Sequence, residues 1–298
     1  MSSMITDVDT ALDQYQTFLL YQPLSNKTRA TYLTQVRQFC TYLKQGVFEY
    51  GHPLKEDHAR DYAVRDYKTQ LKTVHRRKPS TINLMLAAVD HFYRFLQMDQ
   101  AVVRRETLPK QAPRALEPEE QKRFLRAVER CKSVRNRAIA LLLLYTGLRV
   151  SECSQLDLQD VVLSERKGMV IVRDGKGGAY REIPLNSEVR AILRAWLRER
   201  HAKFQGTTDT AFFLNRQGQR LLPRPIDLLL RQIARDAHLT LSAHVLRHTC
   251  LTNLVRNGND LILVAEIAGH QRLETTRRYT LPSETNRLQA MEDLKIEY

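Results

Sequence analysis

The chain has 298 residues, of which 43% are hydrophobic and 27% are charged, a composition typical of soluble globular proteins. It carries 47 lysines and arginines against 33 aspartates and glutamates, a net charge of +14. This excess favours a polyanionic partner, nucleic acid first and an anionic membrane surface second. The longest apolar run, residues 138–145, is too short to span a bilayer, and no secretory signal opens the chain. We therefore expect a cytoplasmic protein without a membrane span.

The four cysteines give no sign of a metal site or of disulfide bonds. Cys40, Cys131, Cys153 and Cys250 form no CxxC pair, and no histidine stands at zinc-finger spacing from any of them. We expect four reduced thiols, and we expect neither a metal nor a cofactor.

Helical periodicity runs through residues 1–99 and predicts an N-terminal bundle of four or five helices. The predicted helices cover about 10–21, 25–46, 56–74 and a segment that opens at Pro79. The periodicity stops over residues 100–116, where arginines, lysines and prolines predict a basic interdomain linker.

Residues 117–298 predict a second domain, mainly α with a small antiparallel β-sheet. A hairpin is expected from residues 169–172 and 180–185, joined by a glycine-rich tip at 174–178, with 212–214 as a short third strand. The helical pattern continues through 138–144 and then over about 187–203, 224–238, 243–257, 260–268, 272–280 and 284–295.

The stretch TGLRVSE combines a helix break at Gly147 with a cation at the start of the next helix. The helix dipole makes that terminus favourable for anions, so Arg149 there is explained if it faces an anion that the terminus also attracts. Glu152, one turn later, could hold its guanidinium. The alternative is an ordinary surface ion pair between these two residues.

Three further clusters carry candidate chemistry. Lys176 stands in the glycine-rich hairpin tip, where a solvated turn lysine is the alternative. His244 and Arg247 share one helix face and offer a hydrogen bond and a planar fork for phosphate oxygens. His248 follows directly, and we interpret it as a candidate core residue. The last cluster places His270 after the helix break at Gly269, with Tyr279 nine residues on or, alternatively, packed as a surface aromatic.

The ordered set Arg149, Lys176, His244, Arg247, His270 and Tyr279 resembles the catalytic signature of the tyrosine recombinases, the phage integrase family. The stretches TGLRVSE, GKGGAYREIPL, HVLRHT and AGH carry the resemblance, and length and spacing are closest to the compact Xer-type enzymes. The resemblance implies a helical, SAM-like DNA-binding domain over 1–99 and an α+β catalytic domain over 117–298. Ala268 departs from the leucine usual before Gly-His, at a packing position.

The resemblance implies that Tyr279 attacks a DNA phosphodiester and forms a 3′-phosphotyrosine, without ATP or metal. Arg149, Arg247 and His244 would stabilise the transition state, with Glu152 orienting Arg149 or His244. Lys176 would protonate the leaving 5′-oxygen. In this family the residue matching His244 is usually assigned to accept the tyrosine proton, while His270 would bond the phosphate and position the nucleophile.

The implied substrate is duplex DNA with an inverted-repeat core site, held by both domains as a clamp and exchanged through a Holliday junction. The expected DNA contacts in the N-terminal domain and linker are Lys27, Arg29, Arg76, Arg77, Lys78, Asn83, Arg104 and Arg105. The resemblance further implies a tetramer of this chain, alone or with a related recombinase, on two sites. The helix at 284–295 would dock on a neighbouring protomer or fold back on its own domain. The setting would be the nucleoid of a bacterial cytoplasm.

Two other functions stay open from sequence alone. One is a catalytically silent DNA-binding architectural protein, for which the net charge and the helical N-terminal domain would suffice. The other is a type IB-like topoisomerase, which uses similar chemistry without strand exchange. The sequence identifies neither the DNA site nor the biological task, which could be dimer resolution, integration or inversion.

Overall fold

The structure is a computed structural model, and it describes residues 7–46, 49–108, 114–173, 180–270, 273–277, 279 and 291–292. The chain divides into two compact units, Met1–Lys110 and Gln111–Tyr298. Within the described residues, no helix combines the length and the apolar character that crossing a membrane requires.

The N-terminal unit is a helical bundle, as predicted. Its helices are α1 (Val8–Leu20), α2 (Asn26–Gln45), α3 (Asp57–Thr73) and α4 (Pro79–Phe95). Ser25 caps α2 by accepting a hydrogen bond from the backbone N–H of Thr28, and Pro79 occupies the first turn of α4, where its missing N–H costs nothing. Helix α4 lies in the centre of the bundle, because Ile82, Leu86, Val89, Phe92 and Tyr93 on it are all buried.

The segment after α4, which begins the linker predicted for residues 100–116, packs onto the N-terminal unit. Asn83 on α4 donates a hydrogen bond to the backbone oxygen of Glu106 and accepts one from its N–H, both at 2.8 Å. The Glu106 carboxylate pairs with Lys68, and Arg105 pairs with Asp90. These contacts account for the unit boundary at 110, since they fix the chain as far as residue 106.

The second unit carries most of its helices near the predicted positions. Helix α6 forms its centre, and the run from Ala138 to Leu144 is buried on every side of the helix. The helices are α5 (Pro118–Arg130), α6 (Val134–Thr146), α7 (Val150–Gln155), α8 (Ser187–Lys203), α9 (Pro223–Asp236), α10 (Ala243–Arg256), α11 (Leu261–Ala268) and α12 (Leu273–Arg277).

The sheet is antiparallel with strand order β1 (Val161–Leu163), β2 (Gly168–Val172) and β3 (Arg181–Pro184). Val170 pairs with Val161 on one side and with Ile183 on the other, which confirms the predicted hairpin. The prediction of a third strand at 212–214 was wrong. That run is apolar because Phe212 and Phe213 are buried in the core, and only isolated bridges at Ala211 and Leu214 join this region to other backbone.

Two sequence predictions fall largely outside the described residues. Lys176 belongs to the segment 174–179, which is not described. Of the predicted C-terminal helix at about 284–295, only Met291 and Glu292 are described, and both are helical and exposed.

Candidate functional site

Arg149 is positioned by the break between α6 and α7. Gly147 ends α6 with a φ of 62°, a left-handed conformation that glycine adopts without a steric penalty. Arg149 then caps α7, and Glu152 one turn later accepts hydrogen bonds from the Arg149 backbone N–H at 2.8 Å and from its Nη1 at 2.6 Å. Glu152 therefore fixes both the backbone and the guanidinium of Arg149.

Arg247 lies on the buried face of α10, with 3% of its surface exposed. Its Nη1 donates to the backbone oxygen of Gly147 at 2.6 Å, and its Nη2 donates to that of Ala268 at 2.6 Å. Arg149 Nη2 donates to the next carbonyl oxygen, that of Gly269, at 3.2 Å. The two guanidinium groups thus converge on successive peptides at the end of α11.

His270 follows Gly269, whose φ of 61° ends α11. Its Nε2 lies 3.1 Å from Arg247 Nη2, and its Nδ1 lies 2.9 Å from the hydroxyl of Thr276. Because a guanidinium only donates, Nε2 must accept, and a neutral ring then carries its proton on Nδ1 and donates to Thr276. In this state His270 accepts from Arg247 through Nε2 and is itself held by Thr276 through Nδ1, whereas the sequence led us to expect a hydrogen bond to phosphate.

Burial and the neighbouring Arg247 lower the pKa of His270 to about 4, so its ring is neutral at pH 7. The pKa of His244 is also lowered, by partial burial and by Arg247 and Arg149. His244 itself is exposed, beside the guanidiniums of Arg149 and Arg247. The neutral form is therefore favoured in both imidazoles, and His244, which is exposed, is the one that a bound group can reach.

The hydroxyl of Tyr279 lies 2.7 Å from Nδ1 of His248. The Tyr279 ring stacks on His270 with centroids 6.2 Å apart, and His244 meets His248 edge to face at 4.8 Å. The sequence led us to assign His244 as the partner of the Tyr279 hydroxyl and to leave His248 in the core. In the structure, His248 makes this hydrogen bond.

The site holds more positive than negative charge. The three guanidiniums of Arg149, Arg181 and Arg247 surround one carboxylate, Glu152, which leaves a net charge of about +2. Among the described residues, no carboxylate forms an ion pair with Arg247. Burial, together with repulsion from Arg149, lowers the pKa of Arg247 to about 10. A bound anion would relieve this strain, which makes the site a candidate for phosphate.

Arg181, Thr276 and His248 were not predicted as parts of the site. For Arg181 a signal existed: strand alternation places it on the same inward face as Ile183, where a charged residue needs a partner. Thr276 and His248 carry no such signal, because only the packed chain brings them to His270 and Tyr279.

The expected DNA-contact residues of the N-terminal unit fall into two groups. Lys27, Arg76, Arg77, Lys78 and Arg104 are exposed, and within the described ranges none of them pairs with a carboxylate. The others already have partners inside the unit. Arg29 donates to the backbone oxygen of Gln22, Arg105 pairs with Asp90, and both ends of the Asn83 amide bond Glu106, which leaves that amide poorly placed to contact a base edge.

The chain matches two family descriptions: "Phage integrase family" over residues 114–285 and "Phage integrase, N-terminal SAM-like domain" over residues 12–100. It is 30% identical to tyrosine recombinase XerA of Pyrococcus furiosus over 269 residues, covering 88% of this chain and 87% of that protein. It is 31% identical to tyrosine recombinase XerC of Roseiflexus castenholzii over 286 residues, covering 90% and 88%.

Solved structures agree with these relatives. A crystal structure of XerA recombinase covers 97% of this chain and 100% of its own at 26% identity, with a TM-score of 0.55. The site-specific recombinase XerH, solved as a pre-cleavage complex with its difH substrate, shares the fold with a TM-score of 0.78 at 21% identity and covers 98% of both chains. The chain belongs to the phage integrase family, the family of the tyrosine recombinases.

Proposed function

We propose that this chain is a site-specific recombinase that cuts and rejoins duplex DNA through a 3′-phosphotyrosine and a Holliday junction. The observation that carries the proposal is the buried Arg247 beside Arg149. Together with Arg181 these are three guanidiniums for a single carboxylate, Glu152. A net charge of about +2 suits a phosphodiester that gains negative charge as it is attacked. Neither a silent architectural protein nor a topoisomerase is favoured by the family relationship.

In the proposed first step, the Tyr279 oxygen attacks phosphorus, the phosphorus–O5′ bond breaks, and the new ester joins the protein to the 3′ side. Arg149 and Arg247 bind the non-bridging oxygens, and His244 adds a hydrogen bond from its exposed position. The loss of one such donor should slow cleavage by about 10²–10³-fold.

Protons must move in the same step. We assign the Tyr279 proton to Nδ1 of His248, because that atom already bonds the hydroxyl. We retain Lys176 as the proton donor to the leaving 5′-oxygen, on the sequence pattern alone. A 5′-hydroxyl of the partner strand then attacks the phosphotyrosine, returns the proton to Tyr279 and reseals the backbone, so no ATP is consumed.

We further propose that both units contact the DNA. In the N-terminal unit the unpaired cations Lys27, Arg76, Arg77, Lys78 and Arg104 are the candidates for phosphate contacts. We also propose an inverted-repeat core site, and a tetramer of this chain, alone or with a related recombinase, working on two sites on the bacterial nucleoid.

For the test, a duplex that binds the wild-type chain is first selected from a random-sequence library. A nick placed in the selected duplex lets the cleaved fragment diffuse away, so a covalent complex accumulates and is seen on a denaturing gel. We expect an adduct from the wild type and none from Tyr279→Phe. Tyr145→Phe is the matched control, since Tyr145 bonds Glu188 and takes no part in the site.

Each alternative predicts a different result. A wild-type chain that binds the selected duplex but never forms an adduct would be an architectural protein. Relaxation of supercoiled plasmid that lacks the selected sequence, at the same rate as plasmid that contains it, would identify a topoisomerase.

A further inference from the structure

Arg181 is the first residue of β3, and its side chain is 8% exposed. Its Nη2 lies 2.7 Å from Glu152 Oε2, and its Nη1 lies 3.2 Å from Glu152 Oε1, so two parallel bonds join the guanidinium to the carboxylate. Its Nε donates to the backbone oxygen of Ile267 at 3.0 Å. One side chain of the sheet therefore contacts both α7 and α11.

The Glu152 carboxylate is shared between Arg181 and Arg149. Oε1 accepts from Nη1 of both arginines, and Oε2 accepts from Arg181 Nη2 and from the Arg149 backbone N–H. These four donors fill the four lone-pair positions of a carboxylate. Glu152 consequently has one favourable orientation, and the Arg149 guanidinium that it binds is fixed with it.

Arg181 also lies against the peptide that precedes His270. A Cβ atom at Gly269 would lie 2.8 Å from Arg181 Nη1 and 3.1 Å from its Cζ. The carbonyl oxygen of Gly269 is the one that Arg149 Nη2 binds, and that of Ala268 binds Arg247. The Arg181 guanidinium thus fills the space between the carboxylate that orients Arg149 and the backbone that anchors both phosphate-binding arginines.

We propose that Arg181 is a positioning residue of the phosphate site, which sets the distance between the Arg149 and Arg247 guanidiniums through Glu152 and the backbone at 267–269. The inference rests on the proposed function for its chemistry and on the contacts above for its geometry. A displacement of about 1 Å in a catalytic group can cost about 10²-fold in rate. Losing Arg181 should therefore slow cleavage while leaving the DNA-contact surface intact.

The test compares Arg181→Met and Arg181→Lys with the wild type on the selected nicked duplex, under single turnover and with enzyme in excess. Methionine keeps most of the side-chain volume and removes every donor. Lysine keeps the charge, but a single ammonium cannot reproduce the planar fork that reaches Glu152 and Ile267 together. We expect adduct formation to fall about 10²-fold in Arg181→Met and about tenfold in Arg181→Lys, with the duplex Kd within about threefold of wild type.

Arg200→Lys is the matched control. Arg200 is also buried, and it donates to the backbone oxygens of Ala211 and Asp209, away from the catalytic set. We expect this variant to lose thermal stability comparably to Arg181→Lys but to cleave at the wild-type rate. If both Arg181 variants cleave as fast as the wild type below their melting temperatures, Arg181 is structural only and the proposal is wrong.

A second readout separates this inference from the proposed function. Inorganic phosphate, titrated while the ring-proton NMR signals of His244 and His270 are followed, reports anion binding without DNA chemistry. We expect a saturable shift in the wild type and in Arg200→Lys, and at least tenfold weaker binding in Arg181→Met. This pattern, with a wild type that forms no adduct on DNA, would uphold the positioning role and reject the recombinase. Equal phosphate affinity in the wild type and Arg181→Met would reject the positioning role.

Discussion

The hydrogen bond between Tyr279 and His248 gives the proposed nucleophile a defined place in the absence of DNA. A phenol has an ordinary pKa of about 10, so its attack on phosphorus needs a nearby proton acceptor. His248 Nδ1 occupies that place at 2.7 Å. The arrangement argues for a functional role for a histidine that the sequence alone left in the core.

Replacing His248 with alanine removes the acceptor, and we expect adduct formation on the selected nicked duplex to fall by about 10²-fold. His248→Gln keeps an acceptor oxygen and should recover part of the rate. His201→Ala is the control, because His201 is an exposed histidine on α8. If His248→Ala cleaves at the wild-type rate and His244→Ala does not cleave, the acceptor of the Tyr279 proton is His244 instead.

The ring of His270 makes folding stability depend on pH in a defined window. Its pKa is about 4 in the folded protein, against an ordinary value of 6.5, because of burial and Arg247. Between pH 6.5 and 4 the unfolded chain binds a proton that the folded chain does not. The stabilising contribution is therefore complete above pH 6.5 and declines as the pH falls toward 4.

We expect His270→Gln to melt with a weaker dependence on pH across this window than the wild type, while His201→Gln melts with the wild-type dependence. Calorimetry at pH 7, 6 and 5 measures the difference. An NMR titration of the wild type in which the His270 ring proton gives a midpoint near 6.5 would contradict the expectation directly.

At the level of elements, the helices were predictable where one face is apolar, and the site motifs were predictable where a glycine breaks a helix. Gly147 and Gly269 each end a helix with positive φ, as their positions in TGLR and AGH suggested. Strand β1 has only three residues, too few to show alternation, and was missed. Alternation in β3 signals that Arg181 faces inward, but its partners, like those of Thr276, depend on how separate elements pack.

A substitution at Gly269 tests whether the site depends on the way in which α11 ends. In Gly269→Ala the left-handed φ of 61° costs about 1–2 kcal/mol, and the new Cβ meets the pinned guanidinium of Arg181 at 2.8 Å. Gly206→Ala isolates the first effect, since Gly206 has a φ of 83° and no atom within 4 Å of an added Cβ. We expect both variants to lose a similar amount of unfolding free energy from the strained φ. Only Gly269→Ala should also lose cleavage.

The opposite result would contradict the dependence of cleavage on Gly269. If Gly269→Ala and Gly206→Ala both retain wild-type single-turnover cleavage, the peptide before His270 tolerates displacement. The close packing of Arg181 against Gly269 would then have no consequence for the phosphate site.

At the scale of the whole molecule, the net charge of +14 and the site charge of about +2 have different uses. In the proposed reaction the site charge, which lies mainly on the buried Arg181 and Arg247, is shielded from salt and acts on one phosphate. Outside the site, Arg76, Arg77 and Lys78 before α4 form a dense run of exposed cations in the N-terminal unit. Their exposure without carboxylate partners among the described residues is what a phosphate-binding surface requires.

Replacing Arg76, Arg77 and Lys78 together with alanine should weaken binding to any duplex rather than alter sequence preference, because phosphate contacts carry no sequence information. Each lost contact reduces the slope of log K against log salt by about 0.9, so three contacts reduce it by about 2.7. Lys44→Ala is the control, since Lys44 already pairs with Asp9 and should leave the slope unchanged. Fluorescence anisotropy from 50 to 200 mM salt measures both slopes, and a triple variant with the wild-type slope would remove this surface from the DNA interface.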